Sequence, residues 1–163
     1  MTPMPGILVA INISAGGVPK LPVPHAAITA DGVAGDRQKD RKFHGGRNRA
    51  VSLLAMSVIR ELQAHGHGIM PGSTGDNLTI DGFSAEELAP GVRLRIGADP
   101  TTAVELELTE WLEPCAKIAA NFHLRRIAVF AHKTNPCRSR IGARVLRSGL
   151  VSVGDRIEFV MDR

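Results

Sequence analysis

The sequence predicts a mainly β fold with some α-helix (α+β), built as a mostly antiparallel β-barrel or sandwich with short helical insertions. Many short runs of apolar or alternating residues have the length of strands, and Gly-rich turns separate them. Long amphipathic helices do not alternate with these runs. A doubly wound parallel sheet is therefore disfavoured, since its strands are joined by helical crossovers.

In the first half of the chain, strands are predicted over Ile7–Ile13 and over Ala50–Met56, a continuous apolar run typical of a buried strand. The prolines of 19–36 indicate extended chain and turns between them. A short helix is predicted over Ser57–His65, with its first serine as a candidate N-cap. Gly66 can end this helix in a left-handed conformation.

The middle of the chain predicts further strands. Leu78–Ile80 follows turn-forming residues, and 91–97 and 103–109 alternate apolar with charged residues, as half-buried strands do. The residues 98–101 are a plausible hairpin loop between the last two. A helix is predicted over Pro114–Phe122, with its proline in the first turn.

The last part of the chain predicts only short strands. Their boundaries are indicated by Gly142, Gly149 and the Gly-Asp pair at 154–155. The predicted strands are 124–130, 144–146, 150–153 and 156–160.

Length and composition predict one domain over residues 1–163. Apolar residues make up 44% of the chain and aromatic residues 4%, so the core must come from Val, Ile, Leu and Ala. No apolar run is long enough to span a bilayer, and the N-terminus does not read as a signal peptide. Two cysteines do not make a disulfide scaffold, which favours a cytoplasmic protein.

Positive charge is concentrated in two segments. Residues 35–49 hold six Lys/Arg and two Asp, and 121–147 hold seven Lys/Arg and no acid, while the remainder is acidic. Two concentrated segments suit a discrete anion such as a phosphorylated cofactor. Two solvated surfaces are the alternative. Nucleic-acid binding is not expected, because aromatic residues for stacking are scarce beside the charges.

Cys115 has four readings: a small buried hydrophobe, half of a disulfide, a metal ligand or a nucleophile. A helix starting there and the nearby Lys117 would favour a thiolate. Taken alone, an inert buried cysteine is the more common case. Cys137, twenty-two positions later, is a weaker second candidate, and the spacing excludes a C-x-x-C motif.

The stretch "FHGGRNRA" is a candidate anion site. His44 precedes Gly45 and Gly46, which permit a tight turn, and exposed N–H groups with Arg47 and Arg49 could cradle an oxyanion. A basic surface turn is the alternative. The pair of histidines in "HGH" at 65–67 is weak support for a metal site without a third ligand.

Five stretches in order resemble the MOSC family, named after the C-terminal domain of molybdenum cofactor sulfurase. They are "GVAGDRQKD…FHGGRNRAV", "MPGSTGDNLTIDGF", "GVRLRIG", "EPCAK" and "RSGLVSVGD". The resemblance covers 6–160 and implies a MOSC-type β-barrel with short helical insertions. It also implies a role in handling sulfur or molybdenum, with the molybdenum cofactor, a phosphorylated pterin, as ligand.

The resemblance also implies roles for single residues. Cys115 would be the catalytic residue, carrying sulfur or ligating molybdenum. Residues matching the basic and central motifs would bind the anionic part of the cofactor or orient it. These cofactor-binding residues are Arg37, His44, Gly45, Gly46, Arg47, Arg49, Asp76 and Asn77.

Two departures from the family pattern stand out. Asp76 takes the place of a glutamate, and the arginine of Pro-Arg-x-Pro-Cys is missing, with Glu110 and Glu113 before Cys115. Negative charge there opposes a thiolate. Arg125, Arg126 or an arginine of the other basic segment could compensate.

Two functions follow from the resemblance. The first is a sulfur carrier or molybdenum-dependent enzyme that could reduce N-hydroxylated compounds. It would need a small anionic cofactor or sulfur donor and a redox or sulfurtransferase partner protein. The second is a non-catalytic anion- or pterin-binding module that has lost the cysteine chemistry.

Overall fold

A closed β-barrel forms the centre of the molecule. The structure, a computed structural model, describes residues 4–37 and 46–161. The strands in this part of the chain are β1 (Gly6–Ile13), β2 (Leu21–Val23), β3 (His25–Thr29), β4 (Gly32–Val33), β5 (Val51–Ala55), β6 (Leu78–Asp81), β7 (Arg93–Ile96), β8 (Val104–Leu112), β9 (Arg140–Arg147), β10 (Gly149–Ser152) and β11 (Arg156–Phe159).

The barrel strands follow one another in the order β1, β11, β7, β8, β9, β5 and β6, and β6 pairs with β1 to close the ring. The short strand β2 also pairs with β1. Strands β10, β3 and β4 form a second, small sheet. Among these pairings, β5 and β6 run parallel and the others are antiparallel. The predicted fold class is confirmed. Because the seven strands close into a ring, the fold is a barrel and not a sandwich.

Alternating side chains fill the barrel. In β7 and β8, Leu94, Ile96, Val104 and Leu106 are fully buried, whereas the charged residues between them are partly exposed. Strands place successive side chains on opposite faces, so one sequence period provides both the core and a charged outer surface. Leu8, Leu53 and Ile80 complete the interior from the other side of the ring, and aliphatic residues dominate the core, as the composition requires.

The α-helix Met56–Ala64 continues directly from β5. Val58, Ile59 and Leu62 form its buried face. The prediction of Ser57 as N-cap was wrong: Ala55 holds that position, and the Ser57 hydroxyl donates to the Phe83 carbonyl at 3.1 Å. Gly66 follows the helix with a positive φ of 89°, as predicted.

Two predictions in the later part of the chain were wrong. The predicted helix Pro114–Phe122 is a 3-10 helix over Ala116–Asn121. The predicted strand 124–130 consists of two further 3-10 turns, His123–Arg125 and Ile127–Phe130.

The physical reason lies in the backbone and in packing. Leu124 and Arg125 have φ of 54° and 57°, which ends extended chain. The apolar side chain of Phe130 is fully buried without strand pairing. A short apolar run cannot by itself be assigned to a strand. Gly142, expected between strands, lies inside β9.

The loop that carries Cys115 is fixed at both ends by strand pairing. Leu112, the last residue of β8, pairs with Arg140, the first of β9. The Ser139 hydroxyl also donates to the Leu112 carbonyl at 2.5 Å. Residues 113–139 therefore leave and re-enter the barrel at one point, and Cys115 lies three residues beyond it.

Candidate functional site

Cys115 is a half-buried, free cysteine in extended conformation. Its carbonyl accepts the first turn hydrogen bond of the 3-10 helix, from Ile118 N–H at 3.2 Å. The α-helix whose dipole was expected to act on the thiol is therefore absent at this point of the described chain. Lys117, the other expected influence, is exposed.

Glu110, one of the two acids before Cys115, is bound by an arginine from the other basic segment. Arg49 Nε and Nη2 donate to its two carboxylate oxygens at 2.7 and 3.2 Å. This hydrogen bonding is the main reason that the pKa of Glu110 lies below its ordinary value. The charge of Glu110 is thus balanced by a fork-shaped ion pair, while Glu113 is exposed to solvent.

Arg140 brings a second guanidinium to this end of the barrel. A Cβ at Gly75 would lie 3.2 Å from its Nη1, so the side chain rests against that glycine. Loss of hydration on burial is the largest cause that lowers the pKa of Arg140, while negative charge at Asp76 and Cys115 opposes this shift. Positive charge on Arg49 lowers it further. Cys115 therefore lies in the field of Arg140.

A polar cleft of about 470 Å³ brings together two parts of the predicted anion motif. Gly35, Asp36 and Arg37 line one part of it, and Gly46 lines another. Gly35 and Gly46 have φ of 86° and 94°, a conformation that favours glycine. Cys115 is not among the described residues that line this cleft. The predicted site residues His44 and Gly45 lie outside the described part of the chain.

A short 3-10 turn, Arg47–Arg49, connects the cleft with the cysteine end of the barrel. Gly46 at its start lines the cleft, whereas Arg49 at its end pairs with Glu110. Arg47 is exposed between them. The Thr109 hydroxyl donates to the Asn48 carbonyl at 2.5 Å and fixes the turn on β8. The sequence alone did not show this connection.

Asp36, which lines the cleft, belongs to a buried polar network. Its Oδ2 accepts from Lys20 Nζ at 2.6 Å and from Asn77 Nδ2 at 2.9 Å, and its Oδ1 accepts from Ser14 N–H at 2.9 Å. The Lys20 and Asp36 side chains are only 5% and 6% exposed. The basic and central sequence motifs therefore meet through hydrogen bonds inside the protein.

Asp76 and Asn77 are completely buried. Asp76 accepts hydrogen bonds from Gly72 N–H and from the hydroxyls of Thr74 and Thr79, at 2.7 to 3.2 Å. Asn77 Oδ1 accepts from Ser52 N–H at 3.0 Å. These partners indicate that both side chains hold the loop before β6 in place. Their predicted role in orienting a cofactor stays a prediction.

Burial of Asp76 predicts a pH-dependent stability. Loss of hydration is the main cause that raises the pKa of Asp76 above its ordinary value near about 4. The folded protein therefore keeps this proton to higher pH than the unfolded chain. As pH rises from about 4 through the folded-state pKa, we expect wild type to lose stability relative to Asp76→Asn. Urea unfolding of both proteins at a series of pH values measures this difference.

Asp81→Asn is a control of opposite sign for the Asp76 comparison. A hydrogen bond from Arg60 is the main cause that lowers the pKa of Asp81. Ionised Asp81 stabilises the folded protein above its unfolded-state pKa, and this stabilisation is lost as pH falls. The free energy of unfolding of wild type should therefore increase relative to that of Asp81→Asn as pH rises. An increase in the stability of wild type relative to Asp76→Asn with rising pH would contradict the raised pKa of Asp76.

The remaining candidates have partners of their own. Cys137 packs against the core with φ of 67°, and its N–H donates to His132 Nδ1 at 2.9 Å. His67 packs against Phe122 and accepts from His123 N–H at 3.1 Å. The described residues contain no group of three or more His, Cys, Asp or Glu that could hold a metal ion.

Sequence reasoning missed two residues of the site. Arg140 was counted in the second basic segment but was not distinguished from its neighbours, and Lys20 was not singled out at all. A lone lysine among prolines gives no local signal of burial. Arg140 differs from the other arginines of its segment only by its place at the start of β9, which depends on strand register.

Comparison with known proteins supports the fold seen here. The sequence model of the MOSC domain family matches residues 40–158. The fold is similar to that of the YuaD protein from Bacillus subtilis, with a TM-score of 0.76 and 18% identity over 98% of each chain. It is also similar to YiiM from Escherichia coli, with a TM-score of 0.70 and 20% identity over 99% of this chain and 72% of that one.

YiiM from Geobacillus stearothermophilus has a TM-score of 0.68 and 19% identity, covering 96% of this chain and 76% of that one. At these identities the solved structures support the fold alone. A search of curated proteins gives no match. Within the described ranges, no helix has both the length and the apolar character needed to cross a membrane.

Proposed function

Because the chain belongs to the MOSC domain family, we propose that it binds a molybdenum cofactor or accepts sulfur destined for one, with Cys115 as the sulfur carrier or molybdenum ligand. A thiolate is a soft ligand and a strong nucleophile, so it suits either role. The cofactor, when bound, would supply a redox-active metal for reactions such as the reduction of N-hydroxylated compounds. The chain's own residues would hold and orient it.

The observation that carries this proposal is the charge balance around Cys115. Arg49 neutralises Glu110 through two hydrogen bonds, and Cys115 lies in the field of Arg140. One of the two arginines is thus engaged by Glu110, while the other has no ion pair among the described residues. The family's arginine before the cysteine is missing, and these two arginines bring positive charge to the same end of the barrel from other parts of the chain.

A single protein ligand, Cys115, fits a metal that is bound as part of a cofactor. Since the described residues provide no cluster of three or more metal-binding side chains, a metal at Cys115 would need its other ligands from the cofactor itself. A half-buried thiol at the end of the barrel that also carries Arg49 and Arg140 suits an anionic group of this kind. We propose that the electrons or the sulfur come from a partner protein.

The cleft would hold the anionic part of the ligand. Its volume of about 470 Å³ lies within the range of small-molecule sites. Arg37 lines it and Arg47 lies on the adjoining turn, while backbone N–H groups at glycines allow close approach of an oxyanion. His44 and Gly45 belong to the same motif by sequence and are assigned here on that ground.

One observation favours the second candidate, a binding module without cysteine chemistry. The described lining of the cleft comes from the segments around Gly35 and Gly46 and does not include Cys115. An anion or a pterin could therefore bind there without contact to the thiol. In that case the cleft would be the functional site and Cys115 would be dispensable.

The two candidates separate in one purification experiment. The protein is prepared from molybdenum-replete cells as wild type, Cys115→Ser and Cys137→Ser. Molybdenum content and the fluorescence of the oxidised pterin are then measured. We expect both signals in wild type and in Cys137→Ser, and loss of most of the molybdenum in Cys115→Ser.

Full retention of molybdenum in Cys115→Ser would rule out the ligand role of this cysteine. Pterin without molybdenum in all three proteins, together with a Cys115 that iodoacetamide does not alkylate, would favour the binding module. Cys137→Ser controls for the general effect of replacing a half-buried thiol, since both cysteines are similarly exposed.

A further inference from the structure

Arg140 is half-buried, and the described residues provide no contacting counter-charge for its guanidinium. Its Nε is enclosed by protein and has no hydrogen-bond partner. Among the residues described, no carboxylate forms an ion pair with its guanidinium. Asp76 and Cys115 attract it only through longer-range electrostatics. An enclosed guanidinium nitrogen without a hydrogen-bond acceptor is unfavourable, so this arrangement favours an anionic partner.

The position of the Arg140 side chain is well defined by its surroundings. Its backbone is fixed by pairing with Leu112 at the end of β8. Its Nη1 rests against the face of Gly75, where a Cβ would lie 3.2 Å from both this nitrogen and Val18 Cγ1. Gly75 has φ of 94°, so glycine suits the position for its backbone as well. The guanidinium is thus held in place before any ligand arrives.

We propose that Arg140 is an anion-binding residue that receives the negatively charged group of the compound handled at Cys115. The chemical class is a small dianionic oxyanion or its sulfur analogue, such as molybdate, sulfate or thiosulfate. A guanidinium matches such groups because its donors lie in a rigid planar fork. The inference rests on the proposed function in one respect, namely that Cys115 is the residue at which the compound reacts.

The first test measures anion binding directly. Molybdate and sulfate are titrated into wild type, Arg140→Gln, Arg140→Lys and Arg144→Gln by calorimetry, with chloride as the counter-probe. We expect wild type and Arg144→Gln to bind the dianions, and Arg140→Gln to bind them at least roughly tenfold more weakly. Arg140→Lys should recover part of the affinity, since it keeps the charge without the fork.

Arg144→Gln is the matched control because it lies on the same strand and its side chain pairs with Glu107 on the barrel surface at 2.6 Å. Equal dianion affinity in wild type and Arg140→Gln would overturn the proposal, and so would equal loss in the two glutamine variants. Circular dichroism confirms that each variant is folded. If Arg140→Gln does not fold, Arg140→Lys supports the proposal by weakened dianion binding and contradicts it by unchanged binding.

The second test asks whether the bound anion lies beside Cys115. Alkylation of this cysteine by iodoacetamide is followed by mass spectrometry with and without molybdate. Molybdate should protect Cys115 in wild type and in Arg144→Gln, and protection should be lost in Arg140→Gln. Alkylation that molybdate does not slow in wild type would contradict an anion site at this cysteine.

The two tests distinguish failure of this inference from failure of the proposed function. Dianion binding that depends on Arg140, with cofactor content unchanged in Cys115→Ser, would support the anion site and reject the role of the cysteine. Cofactor content that depends on Cys115, with dianion binding independent of Arg140, would reject the anion site and support the role of the cysteine.

Discussion

Replacement of Asp36 with alanine should lower the free energy of unfolding by about 3 to 5 kcal/mol, because it removes the counter-charge of a buried lysine. Lys20 Nζ lies 2.6 Å from Asp36 Oδ2, and both side chains are almost inaccessible to water. The same carboxylate accepts from Asn77 Nδ2 and Ser14 N–H. One substitution therefore leaves a cation and two further donors without their acceptor.

Urea unfolding followed by the fluorescence of Trp111, the single tryptophan, measures this loss. Asp31→Ala is the matched control, since this aspartate is exposed in the same segment, and it should change stability by less than about 0.5 kcal/mol. The double variant Lys20→Met, Asp36→Ala should be more stable than Asp36→Ala alone, because no unpaired charge remains. A double variant as unstable as the single one would show that the charge pair is not the cause.

Gly72→Ala should destabilise the protein by about 2 to 5 kcal/mol through two separate costs. Gly72 has φ of 83°, where a side chain strains the backbone. In addition, an alanine Cβ would lie 2.3 Å from the Lys20 carbonyl oxygen and 3.1 Å from Asn12 Cγ. Neither neighbour can move easily, because Lys20 N–H donates to the Gly72 carbonyl at 2.9 Å and Asn12 is fully buried.

Gly154→Ala isolates the backbone cost of such a substitution. Gly154 has φ of 95°, and a Cβ there would meet no atom within 4 Å. We expect Gly154→Ala to lower the free energy of unfolding only by the cost of backbone strain, about 1 to 2 kcal/mol. Thermal and urea unfolding of the two variants give the steric cost as their difference. Equal losses in both would show that the close contact with Lys20 relaxes without energetic penalty.

The sequence predicted the barrel because most strands can be recognised from the residues within each strand. Alternating apolar and charged residues indicate the strands in 91–97 and 103–109. A short continuous apolar run indicates the buried strand in 50–56. The predictions between Pro114 and Phe130 were wrong because no periodic pattern exists there. That segment forms 3-10 turns, in which Ile118, Phe122 and Phe130 are buried without strand pairing whereas Leu124 is exposed.

The roles of the predicted site residues stay predictions, and the structure adds which partners these residues have. The anion motif around Gly35 and Gly46 does line one cleft, and an arginine of the first basic segment does meet the acid before Cys115. Arg125 and Arg126, the other candidates for this compensation, are exposed on the loop. In the second basic segment it is instead Arg140 whose pKa is influenced by charge at Cys115.

By itself the sequence determined the β-rich fold, the family resemblance and the choice of Cys115 as the residue to test. These depend on periodicity and on motifs that lie within a few neighbouring residues. Only the tertiary structure decided that Arg49 binds Glu110, sixty-one positions away, and that Arg140 rests against Gly75. The reason is physical: closure and strand register bring distant side chains together, and no local pattern encodes which pairs will meet.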